Sequence, residues 1–559
     1  MPGLPKLLGF LTNASDLVSM GSAACVGLVA ALTHVTRRSS NAGSAVTAGL
    51  LPMPGALDAP LFELPGIRHS PPRTELELRT MLEARLADRQ VIVLSNREPC
   101  IHEMSSDGQI TIRRPASGLV TALEPVVCAC TGVWVANGSG SADRVTSDRH
   151  GHVLVDAGGA PYLLRRVWLS SKEERGYYCG FSNEGLWPLC HMAFAAPVFR
   201  RSDWLDYERV NRRFADAVAA EIKSANPIVL VQDYHFALVP RMLRERCPDV
   251  TIVTFWHIPW PNPEQFNVCP WGPEILEGLL GSSILGFQTA QCCRNFVDTV
   301  GVADGATADR ERGIVVHRGV ATQVRPYPIS VEWPNRWAEH APSVEECRRT
   351  IRAEFGIESN VRLVVSVDRL DYTKGFEERL TAIERFLESK RHENGRTVFL
   401  HVACPTRVAL KRYTDFAACI RARIEHLNQR FGSGEFRPVI HLERYIEPSE
   451  VFRYYRAADV CYVGSLDDGM NLVAKEFVSA RDDEAGTLVL SRFAGASLEL
   501  KSAVIVNPYD IDGVAEALET ALTMPAGEQR TRMRDMRSWI AEHNVYRWAG
   551  EMLADAAHL

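Results

Sequence analysis

A chain of 559 residues is too long for one ordinary hydrophobic core, so it reads as two large domains with extra segments at its ends. Hydrophobic residues at 46%, charged residues at 23% and a net charge of -6 spread along the chain exclude a dedicated nucleic-acid binder and a charged tail. An anionic small molecule stays open, because a phosphate needs only a few well-placed cations. The 14 cysteines are dilute and none has the paired CxxC spacing of a zinc site, so no metal and a reducing cytoplasm are expected.

Residues 18 to 35 (VSMGSAACVGLVAALTHV) carry no formal charge and precede Arg37 and Arg38. The run is short for a bilayer, is diluted by Ser, Gly and His, and follows Asp16, so it reads as a loose extension and not as a membrane anchor. Residues 39 to 75, rich in Gly, Pro, Ala and Ser, read as a linker, and 1 to 88 together as a poorly ordered extension.

From about residue 90, apolar runs alternate with amphipathic stretches: VIVLSNR, PIVLVQDYH, TIVTFWHIPW and SSILGFQT. Continuous apolar strands imply a parallel sheet covered on both faces by crossover helices, one of them marked by Val210, Phe214, Val218 and Ile222. A second series follows residues 327 to 337: VRLVVSVDRLDYTKG, RTVFLHVACP, ADVCYVGS, GTLVLS and SAVIVNPYD. Phe376, Leu380, Ile383 and Leu387 mark one covering helix there, and Tyr413, Phe416, Ile420, Ile424, Leu427 and Phe431 another. The fold class is therefore α/β, with two doubly wound Rossmann-like domains, 89 to 335 and 336 to 530, and a C-terminal helix over 531 to 559. Ligands of such sheets bind at the carboxyl ends of the strands.

The polar motifs fall at those ends. Ser95-Asn96-Arg97 closes the first strand, and the small-residue loop of 115 to 120, including Gly118, opens a helix whose amides could cradle a phosphate. Asp233 and His235, with His257, supply a carboxylate and two imidazoles where a sugar would lie, and Tyr178 and Trp187 could pack on a sugar face. In the second half, Arg369 and Lys374 of DRLDYTKG offer a guanidinium fork and a point charge to a diphosphate. In DGMNLVAKE, with a helix starting near Asn471, Glu476 lies about a turn and a half inside it while Asp468 stays on the loop, so the two hold different parts of one extended ligand.

These segments, with FSNEGLWP, HIPWPNPEQF, LGFQT and LSRFAGA in the same order from about 92 to 525, resemble the trehalose-6-phosphate synthase family. The resemblance implies the GT-B fold and retaining transfer of glucose from a nucleotide-glucose, UDP-glucose foremost, to glucose 6-phosphate. No metal or other cofactor is implied. It places acceptor binding on Arg97, Tyr178, Trp187, Asp233 and Arg407, with Arg97 and Arg407 on the phosphate. It places donor binding on Gly118, His257, Arg369, Lys374, Asp468, Gly469, Met470, Asn471, Leu472 and Glu476. In these roles Arg369 and Lys374 take the diphosphate, Glu476 the ribose, Asp468 the transferred glucose, and His257 orients that glucose; His257, Arg369, Lys374 and Asp468 are the catalytic set.

Two departures bear on the substrate: Asp467 stands where the family usually has arginine, and the N-terminal loop reads PASGL in place of paired glycines. NREP and NVCPWGPEI look more like glucosylglycerol-phosphate synthase, which leaves ADP-glucose with glycerol 3-phosphate as the alternative; Arg407 weighs toward glucose 6-phosphate. A catalytically silent sugar-phosphate sensor is a third reading, against which stand the retained Arg369, Lys374 and Glu476. The nucleotide base and any homo-oligomer are left open by the sequence.

Overall fold

The run IVLVQ folds as the strand Ile228–Gln232 with every residue buried, as a parallel strand covered on both faces requires. The structure, a computed structural model, describes residues 71–86, 89–114, 118–130, 132–156, 161–301, 305–389 and 397–559. The uncharged run 18–35 and loop residues 115–117 lie outside them.

Two sheets organise the chain. In the first, Val320–Pro326, Ile284–Phe287, Thr251–Trp256, Ile228–Gln232, Val91–Arg97, Val133–Asn137 and Tyr162–Val167 lie side by side in that order and run parallel. Antiparallel strands extend both edges. The second sheet has six parallel strands, ordered Val439–Leu442, Thr397–Cys404, Arg362–Arg369, Val460–Val463, Thr487–Ser491 and Val504–Val506. This is the GT-B arrangement of two doubly wound α/β domains. In each sheet the first strand in sequence lies inside, with its successors on either side, so the switch point of the winding falls beside it. Those two strands end on Arg97 and Arg369.

The covering helices follow the apolar spacing. Arg201–Glu221 buries Val210, Phe214 and Val218, with Ile222 as its cap, and Phe376–Glu388 buries Phe376, Leu380, Ile383 and Leu387. Lys411–Phe431 buries Tyr413, Ile420, Ile424 and Leu427, while Phe416 and Phe431 are only partly covered.

Both ends of the described chain differ from the sequence reading. Within the expected loose extension, residues 75–86 form the helix Glu75–Leu86, which buries Leu78, Leu82 and Leu86. In place of one terminal helix there are two, Ala526–Glu542 and Val545–Ala557, divided at Asn544, whose side chain caps the second. That last helix returns to the first sheet: Trp548 meets Phe255 edge-on at 5.2 Å and donates to Tyr327 O at 3.2 Å. It also packs on Glu75–Leu86. Large side chains buried in this way are worth about 3 kcal/mol or more each, which is why the segment is not left as a solvated tail. Among the described residues no helix is long and apolar enough to cross a membrane.

Candidate active site

A cavity of about 430 Å³ lies at the carboxyl ends of the two sheets, lined by side chains of both domains. The wall of the first domain begins with Arg97. Tyr178 and Trp187 come from the π-helical segment Arg175–Leu186 and the short helix Trp187–Cys190 that continues it. Such wide turns are rare and occur frequently at functional sites. Asn183 braces this wall, donating to Tyr178 O at 2.7 Å and accepting from Tyr234 Oη at 3.0 Å.

Asp233 follows the strand Ile228–Gln232 and caps the 3-10 turn Tyr234–Phe236, with φ 78° and ψ 168°, a conformation that costs a non-glycine residue about 1–3 kcal/mol. Its Oδ1 accepts the N–H groups of Tyr234 at 2.9 Å and His257 at 3.2 Å. Burial pushes the carboxyl up to about 6, against those N–H groups and the guanidiniums of Arg369 and Arg407. Burial alone pushes His257 down to about 3, so its ring is neutral, and His257 Nε2 pairs with Gln232 Oε1 at 3.0 Å. Trp187 Nε1 and both ring nitrogens of His235 are buried with no hydrogen-bond partner in the protein.

From the second domain, Arg407 and Arg369 reach the ring of Trp187 at 3.9 Å and 5.2 Å. Arg407 Nη1 donates to Asp371 Oδ2 and to Tyr413 Oη, each at 2.6 Å. Burial would raise Asp371, but the guanidiniums of Arg407 and Arg369 and the Thr373 N–H hold it below the ordinary carboxylate range. Tyr178 is likewise held below the ordinary phenol value: burial opposes this, and the Arg97 and Arg407 guanidiniums overcome it. The wall that carries Arg97, Tyr178 and Arg407 is thus strongly cationic.

The helix Leu472–Ala480 points its N-terminus at the cavity, with Asn471 as cap at φ 80°. Asp468, on the preceding loop, takes the Lys374 ammonium and the Asn471 Nδ2–H, the latter at 3.1 Å. Burial would raise Asp468; the Lys374 ammonium and the Asn471 amide keep it low and ionised. Glu476 accepts from Tyr455 Oη at 3.1 Å and is raised by burial. A Cβ on Gly469 would sit 2.7 Å from His257 O, so this loop can touch the other domain only as glycine. Gly375, at φ 67°, has the same constraint against Gly464 O.

The cavity brings together Arg97, Tyr178, Trp187, Asp233, His257, Arg369, Lys374, Arg407, Asp468, Gly469, Met470, Asn471, Leu472 and Glu476. Gly118 opens the helix Gly118–Ala129, whose Leu119 and Val120 line the cavity in its stead. Sequence reasoning passed over Asp371, although it stands inside the DRLDYTKG motif, and His191, which no motif marks but whose ring lies 4.1 Å from that of Trp187. Among the described residues, no three or more His, Cys, Asp or Glu side chains are grouped to hold a metal ion.

Residues 89–558 match the model of glycosyltransferase family 20. The trehalose-6-phosphate synthase of Mycobacterium avium is 38% identical over 480 residues, 84% of this chain and 96% of its own length. Among solved structures, a trehalose-6-phosphate protein from E. coli bound with UDP-2-fluoro glucose aligns with a TM-score of 0.74 at 32% identity, covering 84% of this chain and 99% of that one. A UDP-forming α,α-trehalose-phosphate synthase from Burkholderia xenovorans, in complex with glucose-6-phosphate, aligns with a TM-score of 0.72 at 34% identity, covering 84% and 100%.

Proposed function

The chain belongs to glycosyltransferase family 20, and we propose that it moves glucose from UDP-glucose to the anomeric hydroxyl of glucose 6-phosphate, releasing UDP and forming trehalose 6-phosphate with retention. The observation that carries this reading is the cationic seam at Trp187, where Arg407 and Arg369 of one domain lie against an aromatic ring of the other. It suits two phosphorylated ligands meeting across a cleft. The relatives reported above are trehalose-6-phosphate synthases, which favours glucose 6-phosphate over glycerol 3-phosphate and a working enzyme over a silent sensor.

In this reading residues 89 to 335 take the acceptor and 336 to 530 the nucleotide-sugar. Arg97, Arg407 and Tyr178 grip the acceptor phosphate, Trp187 backs its ring, and Asp233 accepts from its hydroxyls. Gly118 opens the helix on the donor side, and Gly469, Met470, Asn471 and Leu472 bring backbone to the donor. Asp468 holds the transferred glucose, Glu476 the ribose, and neutral His257 orients the glucose.

As the glycosidic bond breaks, charge grows on the leaving diphosphate. Arg369, Lys374 and the N-terminus of Leu472–Ala480 stabilise it there, in a site largely shielded from water. The diphosphate oxygen on that same face takes the proton of the attacking hydroxyl, so no side chain is assigned as base. The test is to offer the purified protein UDP-, ADP- and GDP-glucose with glucose 6-phosphate or glycerol 3-phosphate, and to identify products by mass spectrometry. Trehalose 6-phosphate formed fastest from UDP-glucose is expected; glucosylglycerol phosphate as the main product, or none, would overturn the reading.

A further inference from the structure

Met192 and Asp467 lie in different domains, yet Asp467 Oδ2 accepts the Met192 N–H at 2.7 Å. Met192 begins a stretch, residues 192–200, that forms neither helix nor strand. Its first residues have further anchors in the second domain: Tyr509 Oη donates to Met192 O at 3.5 Å, the Tyr509 ring meets Phe194 edge-on at 5.9 Å, and Arg412 Nη1 donates to Ala196 O at 3.4 Å. Its last residues are held by their own domain, the Val198 N–H donating to Glu184 O at 2.7 Å and Phe199 packing on Phe181 and Trp271. Phe194 itself is 90% exposed and adopts φ 52°, so burial of its side chain does not hold the start of the stretch. The start of the stretch is thus a strap tied down from the other domain. The residue just before it, His191, donates its N–H to Trp187 O at 3.2 Å and lays its ring on Trp187. What fixes Met192 therefore fixes the turn that presents Trp187 to both guanidiniums.

We propose that Asp467 is a positioning residue: by holding Met192 it ties the strap of the acceptor domain to the donor loop, and so sets the Trp187 face against which Arg407 meets the acceptor. The proposal rests on the glucosyl transfer above and deepens it. An arginine at this position would carry donors only and could not accept this bond.

Asp467 is buried beside Asp468. Burial pushes its carboxyl up to about 7; the Met192 N–H lowers it, Asp468 raises it, and the Lys374 ammonium and Asp468 N–H lower it again. The other titratable groups packed nearby stay uncharged around neutral pH: the Cys190 and Cys292 thiols and the Tyr509 hydroxyl are pushed up, and burial takes His191 down to about 4. An ionised carboxylate accepts the stronger bond, so the strap tightens as pH rises through that region.

The test compares wild type, Asp467→Asn and Asp467→Ala at about pH 6, 7 and 8, since the group titrates in that range. Acceptor kinetics at saturating UDP-glucose are measured together with hydrogen–deuterium exchange of the strap amides. Alanine is expected to raise the glucose 6-phosphate KM about tenfold with a much smaller fall in kcat, and to unprotect the Met192 amide. Asparagine keeps an oxygen for that N–H, so KM returns to within about threefold and the wild-type pH step is lost. The acceptor phosphate itself ionises near pH ~6, equally for all three proteins, so the ratio of variant to wild type isolates Asp467. An unchanged KM in the alanine variant, a wild-type pH step in the asparagine variant, or equal exchange at Met192 overturns the proposal. If wild type forms no trehalose 6-phosphate, the reaction reading falls, while the exchange data still decide whether Asp467 holds the strap.

Discussion

Arg407 Nη1 donates to Asp371 Oδ2 at 2.6 Å with both side chains buried, so the guanidinium assigned to the acceptor is aimed by a carboxylate beneath it. Two consequences follow for Arg407→Ala. The acceptor loses a charge-assisted grip, and its apparent affinity should weaken by roughly ten- to a hundredfold with donor affinity little changed. The fold loses the partner of a buried carboxylate, which costs about 3–5 kcal/mol. Adding Asp371→Asn should recover part of the stability and none of the acceptor affinity. Acceptor titrations and urea melts of the single and double variants check this; a single variant of wild-type acceptor affinity makes Arg407 structural.

Lys374→Ala should lower kcat by about 10² or more, because a cation facing a departing diphosphate acts mainly in the transition state. The ammonium also neutralises Asp468. Lys374→Ala combined with Asp468→Asn should therefore melt higher than Lys374→Ala alone while staying inactive. Wild-type turnover in the single variant would remove Lys374 from the diphosphate.

Asp233 makes stability depend on pH in a direction opposite to that of a salt-bridged carboxylate. Its carboxyl is raised from 3.8 to about 6, so between these values the folded state binds the proton that the unfolded state has released, and stability falls as pH rises across that window. Raising the carboxyl that far corresponds to roughly 3 kcal/mol, fully lost above the folded value. Asp233→Asn should thus gain stability over wild type as pH climbs from about 4 to about 6, then hold a constant margin. Urea melts over that range measure it, and a margin independent of pH would contradict the assignment.

Exhaustive chelation should leave full activity if, as proposed, Arg369, Lys374 and the helix N-terminus that line the cavity take the diphosphate. Activity that chelator abolishes and magnesium or manganese restores would count against that division of labour. Stimulation by a few tens of per cent would not.

The two doubly wound domains and most of the cavity lining are legible in the chain before it folds. Both are written in local signals: IVLVQ is a short, β-branched apolar run suited to a strand buried on both faces, Phe376 to Leu387 repeat at helical spacing, and Arg97 and Arg369 each end a strand where such folds bind ligands. Tertiary structure alone decided what those residues pair with. Arg407 meets Asp371 from 36 positions away, the Val545–Ala557 helix closes on a sheet begun at Val91, and Asp467 reaches Met192 across 275 residues. Periodicity and spacing report only on neighbours in sequence. A hydrogen bond between domains depends on how two separately folded surfaces meet, and no local pattern carries that.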